Sequence, residues 1–201
     1  MTREERVRDF YKEIEDFETN FPDADIQSLV TNNKPFWYFL LKEGFFTSPA
    51  STKYHGAYDG GLYDHSKAVY KRLRKLTVMN DLKWQRPESP FIIGMFHDLC
   101  KIDQYKLVET KTQNVLGQEV TLEDAHYEYN DRTLLKGHGA KSVMLLSQFL
   151  TLTEEEMLCI RYHMGAYEKE EWSELDMAIK KYENVFWTHA ADMLASKVDG
   201  I

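Results

Sequence analysis

The chain has 201 residues, 43% of them hydrophobic, and a formal net charge of −8. That length and apolar content suit one domain with a buried core and argue against intrinsic disorder. The acidic balance weighs against long nucleic acid held on a broad basic surface, but a few lysines beside a metal can still attract a small phosphorylated ligand.

Val7, Phe10, Tyr11, Ile14 and Phe17 recur at helical spacing, so residues 3–19 read as an amphipathic helix. Asn33-Lys34-Pro35 signals a helix start, followed by a short apolar helix over Phe36 to Lys42. Gly60-Gly61 is a break, after which Leu62, His65, Val69, Leu73 and Leu76 place a helix over 62–78. Ser89-Pro90 opens another, expected to run to about Leu99. Aromatic and β-branched residues around Tyr105–Thr110 and Ala125–Tyr129, with Gly117 and Val120-Thr121-Leu122 between them, predict a small β-hairpin or two short strands, an insertion over about 103–131.

Helix returns from Gly139 to Phe149. Thr153-Glu154-Glu155-Glu156 is a capping box for a helix expected to reach His163 and stop at Gly165. Ser173-Glu174-Leu175-Asp176 is read as opening the next helix in the same way, and a final helix covers about 183–198. The expected fold class is therefore mainly α with a small β-hairpin insertion. No segment approaches the roughly 18 to 20 uncharged apolar residues of a membrane span. No apolar targeting run opens the chain, and Cys100 and Cys159 give no disulfide framework, so a reducing cytoplasm is the expected location and no membrane partner is expected.

Six residues carry the sharpest chemistry: His65, His97, Asp98, His138, His163 and Asp192. All fall in helical segments, and imidazoles and carboxylates on a fixed frame are what a divalent transition metal needs. His97-Asp98 ends the apolar run Gly94-Met95-Phe96, where burial is costly unless an ion compensates. On a helix the two side chains diverge by about 100°, so a shared ion has to sit between them near the helix end. Lys101 follows on their face, where it can meet a phosphate oxygen. Taken singly, each histidine reads more readily as a hydrogen-bonded core or surface residue.

The order of the motifs and the words around them resemble the HD superfamily of metal-dependent phosphohydrolases. The resemblance spans roughly residues 53–198. Lys53 to His65, with Tyr54-His55-Gly56 and Gly60-Gly61-Leu62-Tyr63-Asp64 inside it, is similar to the first-histidine motif of bacterial HD-domain 3′-to-5′ exoribonucleases and of HD-type relaxases. Phe96-His97-Asp98-Leu99-Cys100-Lys101 resembles the signature that names the superfamily. Gly137-His138-Gly139-Ala140-Lys141-Ser142, Arg161-Tyr162-His163-Met164-Gly165 and His189-Ala190-Ala191-Asp192 resemble the further histidine motifs and the closing aspartate. Residues 1–50 match no motif and read as a helical extension of a single HD domain over 1–201.

The resemblance implies a helical HD fold with a metal on His65, His97, Asp98 and Asp192, and a second ion on His138 and His163 with Asp98 bridging. One or two ions of Mn, Fe, Co, Ni or Zn are expected, since histidine-rich ligation disfavours Mg. The expected activity is hydrolysis of a phosphomonoester or phosphodiester, on a nucleotide, by a metal-activated water. Asp98 and Lys101 are the expected catalytic residues, and Lys141, Arg161, His55 and Tyr129 the expected substrate contacts. The chain lacks the Gly-Tyr-Pro motif of cyclic-dinucleotide phosphodiesterases after His163 and the oligonucleotide-binding domain of the exoribonucleases. A nuclease on short single strands and a non-catalytic, metal-dependent nucleotide-binding module remain as alternatives.

Other residues stay open at this level. His55 either approaches a substrate or caps the following turn. His189 either supports a metal ligand or is structural. His126 is expected to be exposed, Tyr127 and Tyr129 either stack on a base or pack a strand face, and the four tryptophans read as packing residues. Lys71, Arg72, Arg74 and Lys75 read as a solvated helix face.

Overall fold

The computed structural model describes all residues except His55, Lys136, Tyr167 and Glu168, and the side chains of all the rest save Leu122, Lys169 and Glu170. The fold is mainly α with a small β insertion. Helices α1 (Arg3–Asn20), α2 (Ile26–Leu29) and α3 (Lys34–Glu43) form the N-terminal third. The reciprocal pair Thr2 and Glu5 caps α1, which buries Phe10, Ile14 and Phe17. Phe10 sits among Trp37, Phe45, Phe46, Tyr63, Phe91 and Phe96, with ring centroids 5.7–6.3 Å away. Residues 1–50 are therefore part of the same core as the histidine-bearing helices.

Helices α4 (Gly61–Met79) and α5 (Ser89–Phe96) cross at the centre. A methyl group on Gly94 would stand 2.4 Å from the Tyr70 α-carbon, so only glycine permits this approach. Every residue of α5 is buried, which explains why its apolar run shows no helical alternation. The helix ends at Phe96 rather than Leu99. His97 and Asp98 form its exit, and a tight 3₁₀ turn follows over Leu99–Ile102.

The insertion is one arm made of two consecutive antiparallel ladders. Strand β1 (Tyr105–Val108) pairs with β4 (His126–Tyr129), and β2 (Lys111–Val115) pairs with β3 (Gln118–Glu123). Tyr105 faces Tyr129 at the root. The tip is Leu116-Gly117, both with positive φ (54° and 83°), the two-residue geometry whose twist suits a hairpin. The sequence reading found this arm and placed it within 103–131, but not its four strands.

Helices α6 (His138–Leu146), α7 (Glu154–Arg161), α8 (Lys169–Lys181) and α9 (Asn184–Met193) complete the chain, and α9 widens into a π-helical turn over Leu194–Asp199. The Thr153 capping box is present, but α7 stops at Arg161 and leaves His163 in the turn beyond. Ser173 does not open a helix: α8 already runs from Lys169, so Ser173 lies inside it. A methyl on Gly139 would stand 2.3 Å from the Arg161 carbonyl oxygen, so α6 presses its first turn against the end of α7. No helix among the described residues is long and apolar enough to cross a membrane.

Candidate metal centre

The two glycine approaches place the chemistry. Gly94 brings the end of α5 against α4, which carries His65. Gly139 brings His138, the first residue of α6, against the turn that holds His163. Asp192 arrives on α9. Four of the residues named from sequence, His65, His97, His138 and His163, thus meet around a fifth, the almost fully buried Asp98, and the sixth, Asp192, meets His65.

The two oxygens of Asp98 face different partners. Oδ2 lies 3.4 Å from His65 Nε2, 3.6 Å from His97 Nε2 and 2.6 Å from Lys101 Nζ. Oδ1 lies 2.7 Å from His138 Nε2 and 3.3 Å from His163 Nε2. His65 Nε2 is also 3.2 Å from Asp192 Oδ1 and 3.4 Å from His97 Nε2. Among the described residues, Asp98 Oδ1, His138 Nε2 and His163 Nε2 are buried without a hydrogen-bond partner, the 2.7 Å approach being close in distance but outside hydrogen-bond geometry.

Ring orientation is set from behind. His97 Nδ1 donates to Gly94 O (2.9 Å), His163 Nδ1 to Ile160 O (2.7 Å) and His65 Nδ1 to Ile201 O (2.9 Å). A carbonyl oxygen only accepts, so a neutral ring held this way offers its Nε2 lone pair to the centre. Burial pushes the His97 imidazolium down to about 3, so this ring is neutral at neutral pH. Burial alone would raise Asp98, but Lys101, then His138 and His97, outweigh it and hold the carboxyl well below its usual range. Asp192 is likewise held low: burial opposes ionisation, and the hydrogen bond with His65 and the nearby imidazoles overcome it. Burial also opposes the charge on Lys101, and Asp98 restores it.

Clustered imidazole nitrogens, two carboxylates held low and polar atoms without a described partner in an otherwise apolar interior fit a cation. The buried group formed by His65, His97 and Asp98 could hold a metal ion, as could Asp98, Cys100 and His138. Cys100, which the sequence offers only as a cysteine outside any disulfide framework, is the added member. Burial pushes that thiol up to about 12, and its Sγ lies 3.5 Å from His138 Nδ1.

A cavity of about 450 Å³ opens onto the cluster, walled by Asp98, Lys101, His138, Asp192, Tyr129 and Lys197 among others. Tyr129 is exposed at the root of the arm, its ring centroid 5.3 Å from that of Tyr105. Lys141 is buried and ion-pairs with Asp103 in an adjoining hollow that also touches His138 and Tyr129. Arg161 is exposed, pairs with Glu174 at 3.3 Å and does not line the 450 Å³ cavity. His55 lies outside the described residues.

His189 stands behind the cluster, its Nδ1 donating to His163 O at 2.7 Å, and so braces the turn that carries His163. His126 sits on the arm between Glu123 and Glu128. Trp37, Trp84 and Trp187 pack on the core, whereas Trp172 is 65% exposed. On the basic face of α4, Lys71 and Lys75 are exposed as expected and Arg72 and Arg74 are half-buried, with Lys71 paired to Glu13, Arg72 to Asp199 and Arg74 to Asp16. Compared with protein-family models, with curated proteins and with solved structures, the chain gives no significant match.

Proposed function

We propose that the chain is a metal-dependent phosphohydrolase that cleaves a phosphomonoester or phosphodiester of a nucleotide, the activity implied by its resemblance to the HD superfamily. The observation that supports it most is the division of Asp98: one buried carboxylate with a separate pair of imidazoles on each oxygen and a lysine beside it. His65, His97, Asp98 and Asp192 would hold one divalent transition metal, and His138, His163 and Asp98 a second. Such an ion lowers the pKa of its water toward neutrality and polarises a phosphoryl oxygen.

The chain's own groups have separable tasks. The main-chain oxygens of Gly94, Ile160 and Ile201 fix which ring nitrogen His97, His163 and His65 present. Lys101, charged and buried at the cavity wall, offsets negative charge on the phosphoryl oxygens in the transition state. Tyr129, above the opening, offers a face on which a base can stack.

The test is elemental analysis of the purified chain followed by a screen of phosphate esters with Mn, Fe, Co, Ni and Zn. Mononucleotides, dinucleotides and short single strands form a size series. Release of phosphate from mononucleotides or cleavage of a dinucleotide supports the proposal. Progressive shortening of oligonucleotides alone would replace it with a nuclease. Nucleotide binding without turnover by metal-loaded protein would replace it with a binding module.

A further inference from the structure

Three of the converging histidines have their rear nitrogen on a main-chain oxygen, at 2.7–2.9 Å. His138 differs. Its Nδ1 lies 3.5 Å from Cys100 Sγ, and its Nε2 lies 2.7 Å from Asp98 Oδ1. We propose that Cys100 is a positioning residue for His138: its sulfur accepts the Nδ1 proton, fixes the tautomer and aims Nε2 at the Oδ1 side of Asp98. This rests on the two-ion metal reading above.

The contact is built from both ends. Cys100 is fully buried in the tight turn after Asp98, and its backbone N–H donates to Ser142 Oγ at 3.0 Å. Ser142 lies four residues after His138, on the same face of α6. The turn and the helix are therefore pinned to each other one helical turn from the ring. Gly139 removes the Cβ that would otherwise push this first turn away from α7.

Cys100 as a direct ligand is the competing reading, since Asp98, Cys100 and His138 offer atoms within 4.8 Å of one another. The direction of the ring argues against it. The two nitrogens of an imidazole point nearly opposite ways, and the one beside Asp98 Oδ1 is Nε2. Sγ is then behind the ring, in the position that main-chain oxygens take behind the other three histidines.

A thioether or thiol sulfur is a weaker acceptor than an amide carbonyl. His138 is also the most exposed of the four rings, with 28% of its side-chain surface accessible. The two halves of the centre are consequently unequal. The half on Asp98 Oδ2 uses rings locked by main-chain oxygens, whereas the half on Oδ1 includes one ring held by sulfur. The second ion, on the Oδ1 half, is the one whose affinity depends on Cys100.

The experiment is a manganese titration of the full chain by equilibrium dialysis with elemental analysis, on the wild type, Cys100→Ala, Cys100→Ser and the control Cys159→Ala. Two ions of unequal affinity are expected in the wild type. Cys100→Ala should weaken the second ion by about 10- to 100-fold and spare the first. Cys100→Ser, which restores an acceptor, should recover part of the loss, and Cys159→Ala should change neither. In case the alanine variant does not fold, ¹⁵N spectra of the wild-type imidazoles give a readout free of mutation. A His138 ring protonated at Nδ1 supports the proposal, and one protonated at Nε2 overturns it.

Unchanged second-ion affinity in Cys100→Ala also overturns it, as does an equal weakening of both ions. A sulfur-to-metal charge-transfer band in the cobalt-loaded wild type would make Cys100 a ligand and overturn it too. A wild type that binds a single ion sinks this proposal and leaves a mononuclear centre standing. A wild type that binds no ion sinks the metal reading itself.

Discussion

Gly94 passes Tyr70 so closely that a methyl on its α-carbon would stand 2.4 Å from the Tyr70 α-carbon and 2.8 Å from its β-carbon. The neighbours are backbone and the base of a side chain, so neither can rotate away. The same residue's carbonyl oxygen accepts the His97 Nδ1 proton at 2.9 Å. The helix crossing and the aim of one candidate ligand are thus a single geometric fact.

Gly94→Ala should therefore do two things. Overpacking of this kind costs typically about 1–3 kcal/mol, and the rigidity of the contact places this case at the upper end. For a chain of this length that is a fall in melting temperature of roughly 6–12 °C. It should also reduce metal content, because His97 moves with α5. Thermal melts and elemental analysis check both, and a variant with wild-type stability and wild-type metal content would refute the coupling.

Metal binding should appear as stability without any substrate. A ligand that binds only the folded state adds about 2.7 kcal/mol when present at 100 times its dissociation constant. Manganese at that excess should raise the melting temperature by roughly 5–11 °C, and a chelator should reverse it. Asp98→Asn should abolish the shift, since both halves of the cluster face this carboxylate. A full shift in that variant would place the ion elsewhere.

The helices were readable where one stripe faces the core, as in α1 and α4, and where a local cap is decisive, as at Thr153. They were misread where tertiary packing overrides local signals. Ser173-Glu174-Leu175-Asp176 looks like a helix start, yet Leu175 and Ile179 pack against the core and the helix simply runs through. The apolar run after Ser89 gave no hint that it stops at Phe96, because every side of α5 is buried. The six converging residues were legible because an ordered set of histidine and aspartate words is rare. The contact of Cys100 with His138 was not, because the two are 38 positions apart and meet only where the turn after Asp98 packs on α6, through Ser142. Lys141 and Arg161 sit in suggestive words, but what each pairs with is a tertiary matter: Asp103 and Glu174.

Acid stability should carry the mark of Asp9, which joins α1 to α4. Its carboxylate accepts from Tyr63 Oη at 2.7 Å and pairs with Lys67. Burial pushes its pKa up, but Lys67 and Tyr63 outweigh burial and set it below the ordinary 3.8. A carboxyl whose folded pKa is depressed stabilises the fold at every pH above the unfolded value, and that contribution disappears as pH falls through the folded value. Denaturant unfolding of the wild type and Asp9→Asn should therefore differ at pH 7 and converge below pH 3.8. A gap that stays constant through that window would assign Asp9 a role independent of its charge.

Lys101 gives the sharpest separation of catalysis from structure. Its ammonium lies 2.6 Å from Asp98 Oδ2, the oxygen shared with His65 and His97, and it is buried at the cavity wall. A cation there repels a metal ion and attracts a phosphoryl group, so the two effects of removing it have opposite signs. Lys101→Met keeps most of the aliphatic stem that packs along the wall. It should bind manganese as tightly as the wild type or more tightly, while turnover falls by about 10²- to 10³-fold, the usual cost of losing one donor that stabilises developing charge. A merely structural lysine would instead lower metal affinity and melting temperature together. Parallel measurement of metal affinity, melting temperature and turnover decides between the two. Full turnover in Lys101→Met would remove Lys101 from the catalytic groups.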